Sequence, residues 1–314
     1  MADVEAAQWA ANPHVAASRE EYTALAHGFC ARRLKLPVTA DGQTCLARHC
    51  LYAKAKYRDI ALPARADGLA RMQHGVVFLG AASHWHFLID GLGQLQPPAM
   101  AQGRETLYLD ADISAEQERF TLAFAQAAGF APFARVERMA GECLAVDDCA
   151  FPCRRRITDE VAWLRMVMGV RPASDAGRRV FVLRNRASIR RLLNQDEVAA
   201  VLQARLGFEA VDPAALTLDE QVQAFRGASV IVGPHGAGLA NAVFAARPRL
   251  LVELCPTQPP PFYHSLAFAL GARHYMIEAT ALAGQGGHNA DCTADARRVA
   301  EILAILIARH SQIR

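Results

Sequence analysis

Three short, unbroken apolar runs punctuate the second half of this 314-residue chain: Val180-Phe181-Val182-Leu183, Val230-Ile231-Val232 and Leu250-Leu251-Val252. A strand with one wet face alternates apolar and polar residues, whereas a strand buried on both faces reads as a continuous run. Helical segments lie between them. Asn194 opens one, with Glu197 three residues on as its capping-box partner, and Thr217 with Glu220 opens another that reaches about Phe225. Phe208 to Val211 and His274 to Ile277 read as further strands, and Phe262 to Leu270 and Asp295 to Arg309 as helices. Strands alternating with helices over short connections predict a parallel, doubly wound α/β sheet.

The first half is less regular. Val76-Val77-Phe78-Leu79 and Leu107-Tyr108-Leu109 read as strands, and Ser114, with Gln117 in the reciprocal position, caps a helix to about Ala128. A second α/β domain is expected there. Arg171-Pro172-Ala173-Ser174-Asp175-Ala176-Gly177 follows a helical stretch (Asp159 to Met168) and suits a linker. The expected parts are residues 1–171, residues 178–290 and a terminal helix at 294–314.

Hydrophobic residues at 52% and charged residues at 21% exclude disordered and fibrous classes. A net charge of +3 is too near balance for a general nucleic-acid or membrane-surface binder. All basic residues except Lys35, Lys54 and Lys56 are Arg, so only the position of an arginine informs. Met1 to Trp9 carries Asp3 and Glu5 and no apolar core, and no apolar run reaches the ~18 residues of a membrane span. A soluble cytoplasmic protein is expected, with membrane contact peripheral at most. Its eight cysteines are then expected as reduced thiols. Cys45/Cys50 and Cys143/Cys149/Cys153 form no CxxC pair, which argues against a zinc site.

The sharpest local pattern is Gly233-Pro234-His235-Gly236-Ala237-Gly238-Leu239, directly after one strand and before a helical stretch through Asn241 and Phe244. Glycines let backbone approach a ligand, and a helix start offers unpaired N–H groups to a phosphate. The same glycines also suit a tight strand-to-helix turn. Their order is neither that of a dinucleotide fingerprint nor that of a P-loop. Glu253, about 20 residues on, stands where an acid accepts ribose hydroxyls, or where a strand end meets solvent. Arg184, Arg186, Arg190 and Arg191 follow the strand ending at Leu183, on the ligand side of such a sheet. Guanidiniums grip phosphate oxygens bidentately, although a charge run is also an ordinary solvated loop. In the first half, His86 and Asp90 share a face if Ser83 to Gly91 is helical. A carboxylate beside an imidazole fixes its tautomer and raises its basicity, as a general base requires. An aromatic-rich core helix with a satisfied histidine has the same appearance.

Together these stretches, in matching order over about residues 75 to 280, resemble glycosyltransferase family 61. The most specific are Val230 to Leu239 with Asn241, Phe244 and Glu253-Leu254-Cys255-Pro256. Next come the arginine loop running into Leu192-Leu193-Asn194-Gln195-Asp196-Glu197-Val198, and then His86-Phe87-Leu88-Ile89-Asp90. Ser83 and Leu183 depart from the Asn and Ser usual in the family, and the first ~70 residues match nothing specific. The resemblance implies two Rossmann-like domains facing a cleft (GT-B type). It implies inverting transfer from a nucleotide-sugar, with UDP as the guessed nucleotide, and no obligatory metal or other cofactor. The acceptor would be a saccharide, glycolipid or glycoconjugate, as in polysaccharide assembly. Arg184, Arg186, Arg191, His235, Gly236, Ala237, Gly238 and Glu253 would hold the diphosphate, with His86 and Asp90 across the cleft. Asp90, oriented with His86, is the candidate base, with His86 as the open alternative, and the terminal helix is free to return to the first domain. Asp110-Ala111-Asp112 lies between a strand and a helix, as turn and cap chemistry. Two rivals stay open. One is a non-catalytic relative in polysaccharide assembly. The other is a nicotinamide-dependent oxidoreductase, which the glycine order disfavours.

Overall fold

The computed structural model describes residues 15–18, 22–31, 36–39 and 68–311, apart from 97, 142, 154, 172–176 and 288. Most of the expected linker, Met1 to Trp9, Cys45 and Cys50 lie outside the described residues. The chain divides into two compact units, Met1–Glu160 and Val161–Arg314.

The first unit is built on a seven-stranded sheet. Its strands are β1 (Val15–Ser18), β2 (Tyr22–Ala31), β3 (Leu36–Thr39), β4 (Arg71–Val77), β5 (Thr106–Asp110), β6 (Arg135–Met139) and β7 (Cys143–Pro152). Their order is β1-β2-β7-β4-β5-β6, with β3 also on β2. β7, β4, β5 and β6 run parallel, as expected of an α/β domain. β1, β3 and β7 all pair with β2 antiparallel, so the sheet is mixed rather than purely doubly wound. For β1–β2 and β2–β3 the reason is geometric: parallel neighbours need a long crossover, whereas these strands follow one another over short connections. Leu25, Met72, Val77, Leu79, Tyr108 and Phe151 form the core.

Two helices of this unit matter for the site. α1 (His84–Leu88) buries Trp85, Phe87 and Leu88. Phe87 makes edge contacts with Phe78 at 5.9 Å and Phe120 at 6.2 Å between ring centroids. α2 (Ala115–Ala127) begins with the expected Ser114–Gln117 capping box, both bonds present. Asp110 ends β5, and its carbonyl closes a turn with Ile113 N at 3.1 Å. α3 (Ile157–Val167) crosses from the first unit into the second.

The second unit is a five-stranded sheet in the order β12-β11-β10-β8-β9. These strands are β8 (Arg178–Val182), β9 (Glu209–Val211), β10 (Ala228–Pro234), β11 (Leu250–Cys255) and β12 (Arg273–Glu278), and every pairing is parallel. The helices between them are α4 (Gln195–Leu206), α5 (Leu218–Arg226) and α6 (Phe262–Ala269). A short hairpin, β13 (Thr280–Ala281) with β14 (Cys292–Thr293), precedes α7 (Ala296–Ser311). Val299, Ala300 and Leu303 of α7 share a core with Val198 and Leu202 of α4 and with Val232 and Val252 of the sheet. The terminal helix is therefore part of this unit's own packing.

Two local expectations need correction. Thr217 and Glu220 form their capping box, but Asn194 makes no cap bond to α4. Its amide instead holds residue 294: Nδ2 donates to Ala294 O at 2.8 Å, and Oδ1 accepts from Ala294 N at 3.1 Å. Nδ2 also donates to Glu197 Oε2 at 2.9 Å, so the two side chains pair at the expected spacing, while the backbone cap bond gives way to a tether 100 residues away. The helix after the glycine loop is also a 3₁₀ helix, Ala237–Phe244, rather than an α-helix. Among the described residues, no helix is long and apolar enough to cross a membrane, and Cys30, Cys143, Cys149, Cys153, Cys255 and Cys292 are free thiols.

Candidate functional site

The order of the second sheet decides where a ligand belongs. From β8 the chain goes to β9 on one side, then to β10 on the other. Such a reversal opens a crevice at the carboxyl ends of the two strands, where open α/β sheets bind ligands. The arginine loop leaves β8 at that point, and the glycine loop leaves β10 beside it. Gly233 lets them sit close: a Cβ there would lie 2.9 Å from Val182 Cβ and 3.0 Å from Val182 O.

The four arginines are not equivalent. Arg186 is exposed. Arg191 is occupied: its Nη2 donates to Asp291 Oδ2 at 2.6 Å and its Nε to the same oxygen at 3.0 Å. That carboxylate raises the pKa of Arg191. Arg184 and Arg190 turn inward, and the Nε of each is buried without a hydrogen-bond partner. Arg184 Nη2 reaches Ile189 O at 3.2 Å. Burial, reinforced by the charge of Arg190, holds the Arg184 guanidinium below the usual arginine range, with Tyr263 acting weakly the other way. Arg190 also holds a left-handed backbone, φ 59°. For a residue with a Cβ that conformation costs about 1–2 kcal/mol. A strained backbone and two part-buried, mutually repelling cations at one spot suit an anionic ligand.

The glycine loop completes this cradle. Gly236 is extended (φ 168°, ψ 166°), and a Cβ on it would fall 1.2 Å from Arg184 Nη1. Glycine is needed here because the guanidinium lies against its backbone. Tyr263 Oη, on α6, donates to Gly236 O at 2.6 Å and pins the loop from beneath. The first N–H groups of the following helix have no partner within the helix and are available to a ligand. Gly236→Ala is expected to push the Arg184 guanidinium aside while leaving the fold intact. Affinity for a diphosphate should fall about 10- to 100-fold, since a hydrogen bond to a charged group is worth about 1.5–3 kcal/mol. Calorimetric titration with a nucleoside diphosphate checks this.

His235 and Glu253 lie under the loop. Gly233 and Glu253 are register partners on β10 and β11. Glu253 is 1% exposed, and both its oxygens are engaged: Oε2 accepts from His235 Nδ1, and Oε1 from His274 Nε2 at 2.6 Å. It is therefore neither a solvated strand end nor an acid open to a ribose. Its geometry makes it the group that positions His235, which leaves the oxidoreductase reading without its ribose acceptor. Burial alone would raise the Glu253 carboxyl, but the bonds and charges of the two histidines outweigh it and hold its pKa below the usual value of 4.5. A carboxyl depressed in the folded state adds stability above pH 4.5, and that stability is lost as pH falls through the lower folded value. Glu253→Gln should therefore flatten the acid limb of the melting temperature measured against pH.

The remaining expected residues fall into place around this cluster. Ala237 and Gly238 are part-buried at the start of the 3₁₀ helix, while Leu239 and Asn241 are buried within it. Asn241 Nδ2 donates to Gly238 O at 3.1 Å, which is a structural bond of the loop. Three contributors were not singled out in the sequence. Tyr263 and His274 lie beyond the glycine loop in α6 and β12, and Asp291 is 100 residues from Arg191. Only their polar types in apolar surroundings could have flagged them.

In the first unit, His86 Nδ1 and Asp90 Oδ2 are 2.5 Å apart, at i and i+4 as expected. The Asp90 side chain is 4% exposed and that of His86 24%. The carboxylate is thus shielded and the ring is the partner that solvent reaches. Buried Phe87 and Leu88 on the same short helix hold the pair in place.

A family model described as Glycosyltransferase 61 matches residues 84–252. The match runs from the helix bearing His86 through the arginine and glycine loops to β11. A curated relative is an EGF domain-specific O-linked N-acetylglucosamine transferase of Drosophila melanogaster, 30% identical over 102 residues. Those residues are 32% of this chain, and the match spans 20% of the relative's length.

Proposed function

Since this chain belongs to glycosyltransferase family 61, we propose that it transfers a sugar from a nucleotide-sugar to a hydroxyl of a saccharide or glycoconjugate acceptor. The observation that carries this reading is the pair of part-buried arginines, Arg184 and Arg190, each with a buried and unpartnered Nε, with Arg184 lying against the backbone of Gly236. A nucleoside diphosphate is the leaving group that such a cradle suits.

The reaction is a direct displacement with inversion, in a GT-B-type arrangement where donor and acceptor are held by different units. The acceptor oxygen bonds to the anomeric carbon as the bond from that carbon to the diphosphate oxygen breaks. The acceptor's proton passes to His86, and Asp90 orients the ring. This reverses the order expected from sequence, because Asp90 is the more deeply buried of the two. The negative charge that accumulates on the diphosphate is met by Arg184, Arg190 and the loop N–H groups. Those cations take the part that a divalent ion plays elsewhere, so transfer should survive a chelator. UDP-sugars are the first donors to test, with UDP-N-acetylglucosamine leading because the Drosophila relative is named for N-acetylglucosamine transfer.

The test is a panel of nucleotide-sugars with and without saccharide acceptors, followed by NMR of the anomeric proton and repeated with a chelator. Consumption of one donor with an inverted product linkage supports the proposal. Absence of both transfer and slow donor hydrolysis across the panel would favour the non-catalytic relative instead.

A further inference from the structure

The opposite edge of the second sheet holds a different cluster. The amino ends of β8, β10, β11 and β12 border a pocket of about 1000 Å³. Among the described residues, Arg179, Arg247, Arg249, Arg273 and His310 line it, with Phe268 among its apolar residues, and no aspartate or glutamate does. Parallel register gathers them. Val230 pairs with Arg179 on one side and Leu250 on the other, and Leu250 pairs with Arg273. Backbone bonds tie the strand entries together, Arg249 N to Ser229 O at 2.7 Å and Arg273 N to Arg249 O at 2.8 Å. The strand starts therefore deliver cations to one rim.

A second observation points to a ligand. His310, in the last turn of α7, is 8% exposed, and its Nδ1 is buried with no hydrogen-bond partner. Its Nε2 meets Tyr275 Oη at 2.8 Å. Burial, then the charges of Arg309 and Arg273, hold its pKa down. Nδ1 is thus a buried polar atom beside the pocket whose hydrogen-bonding capacity goes unused. Phe268, 73% exposed, offers an apolar ring beside it. Clefts of ~300–1,000 Å³ with apolar walls and a few convergent polar groups are the usual form of a small-molecule site.

We propose that this pocket is a second ligand site, binding a small molecule that carries phosphate or carboxylate groups on a ring-shaped body. Arg247 and Arg273 take the oxyanions, and Phe268 packs against the ring. Guanidiniums are matched to both oxyanions bidentately. The site is separate from the arginine cradle. Arg179 and Arg184 stand at opposite ends of one strand, roughly 17 Å apart at ~3.3 Å per residue.

The test first silences the cradle with Arg184→Ala/Arg190→Ala. Inorganic pyrophosphate and, separately, an oligogalacturonate are then titrated by calorimetry. One of them should bind saturably at one site, and which one binds identifies the oxyanion. Adding Arg247→Ala/Arg273→Ala should weaken that binding at least tenfold. Both side chains are exposed, so the core is untouched, and an unchanged circular dichroism melt confirms it. No binding of either probe in the silenced protein, or binding indifferent to the second pair of substitutions, would overturn the proposal.

Discussion

Arg184→Ala is expected to lower kcat/KM for the nucleotide-sugar by about 10²–10³-fold and to leave the protein at least as stable as before. The two halves of that expectation come from the same geometry. Arg184 lies against Gly236, its Nε has no partner, and the charge of Arg190 adds to the cost of keeping it buried. Removing a part-buried cation that no carboxylate is seen to pair, among the described residues, relieves the folded state. Losing it from the leaving group removes charge stabilisation worth about 2.7–4 kcal/mol in the transition state. A residue kept for packing would show the reverse, a lower melting temperature and unchanged turnover. Arg191→Ala provides the internal contrast. Its bonds to Asp291 are structural, so turnover should fall far less than in Arg184→Ala. Steady-state kinetics beside thermal melts of the two variants separate these outcomes.

His86→Ala is expected to lower kcat by about 10²–10⁴-fold, the usual contribution of a general base, with donor affinity unchanged. Asp90→Asn should also lower kcat, because an amide cannot hold the imidazole in the tautomer that a carboxylate selects. The donor KM should move little in either variant, since neither residue belongs to the second unit. Full transfer activity in Asp90→Asn would remove the pair from the mechanism. Loss of activity in Asp90→Asn with His86→Ala fully active would restore Asp90 as the base.

The middle of the second sheet was legible in the sequence because β8, β10 and β11 are buried over their apolar runs. Val180 to Leu183, Val230 to Val232 and Leu250 to Val252 each lie within or overlap a parallel strand. The capping boxes at Ser114 and Thr217 were legible because each is complete within four residues. Asn194 shows the same local pattern, but its amide is held by Ala294, and spacing along the chain carries no trace of that. The antiparallel strands β1 to β3 were not anticipated, since the first ~70 residues offered no apolar pattern strong enough to assign. The site divides in the same way. The backbone features, glycine loop and arginine loop, are contiguous and could be read. The sorting of Arg184 and Arg190 from Arg191 depends on Asp291, and the state of Glu253 depends on His274. Both partners are contributed by later elements, so burial and charge compensation became visible only once the sheet was assembled.

If the crevice between β8 and β10 holds a diphosphate, calorimetric titration with UDP should show saturable binding to the purified protein. In Arg184→Ala/Arg190→Ala the affinity should fall at least tenfold. At a ligand concentration ~100-fold above Kd, the unaltered protein should gain about 2.7 kcal/mol of stability. UDP binding of equal affinity in both proteins would contradict a diphosphate site in that crevice.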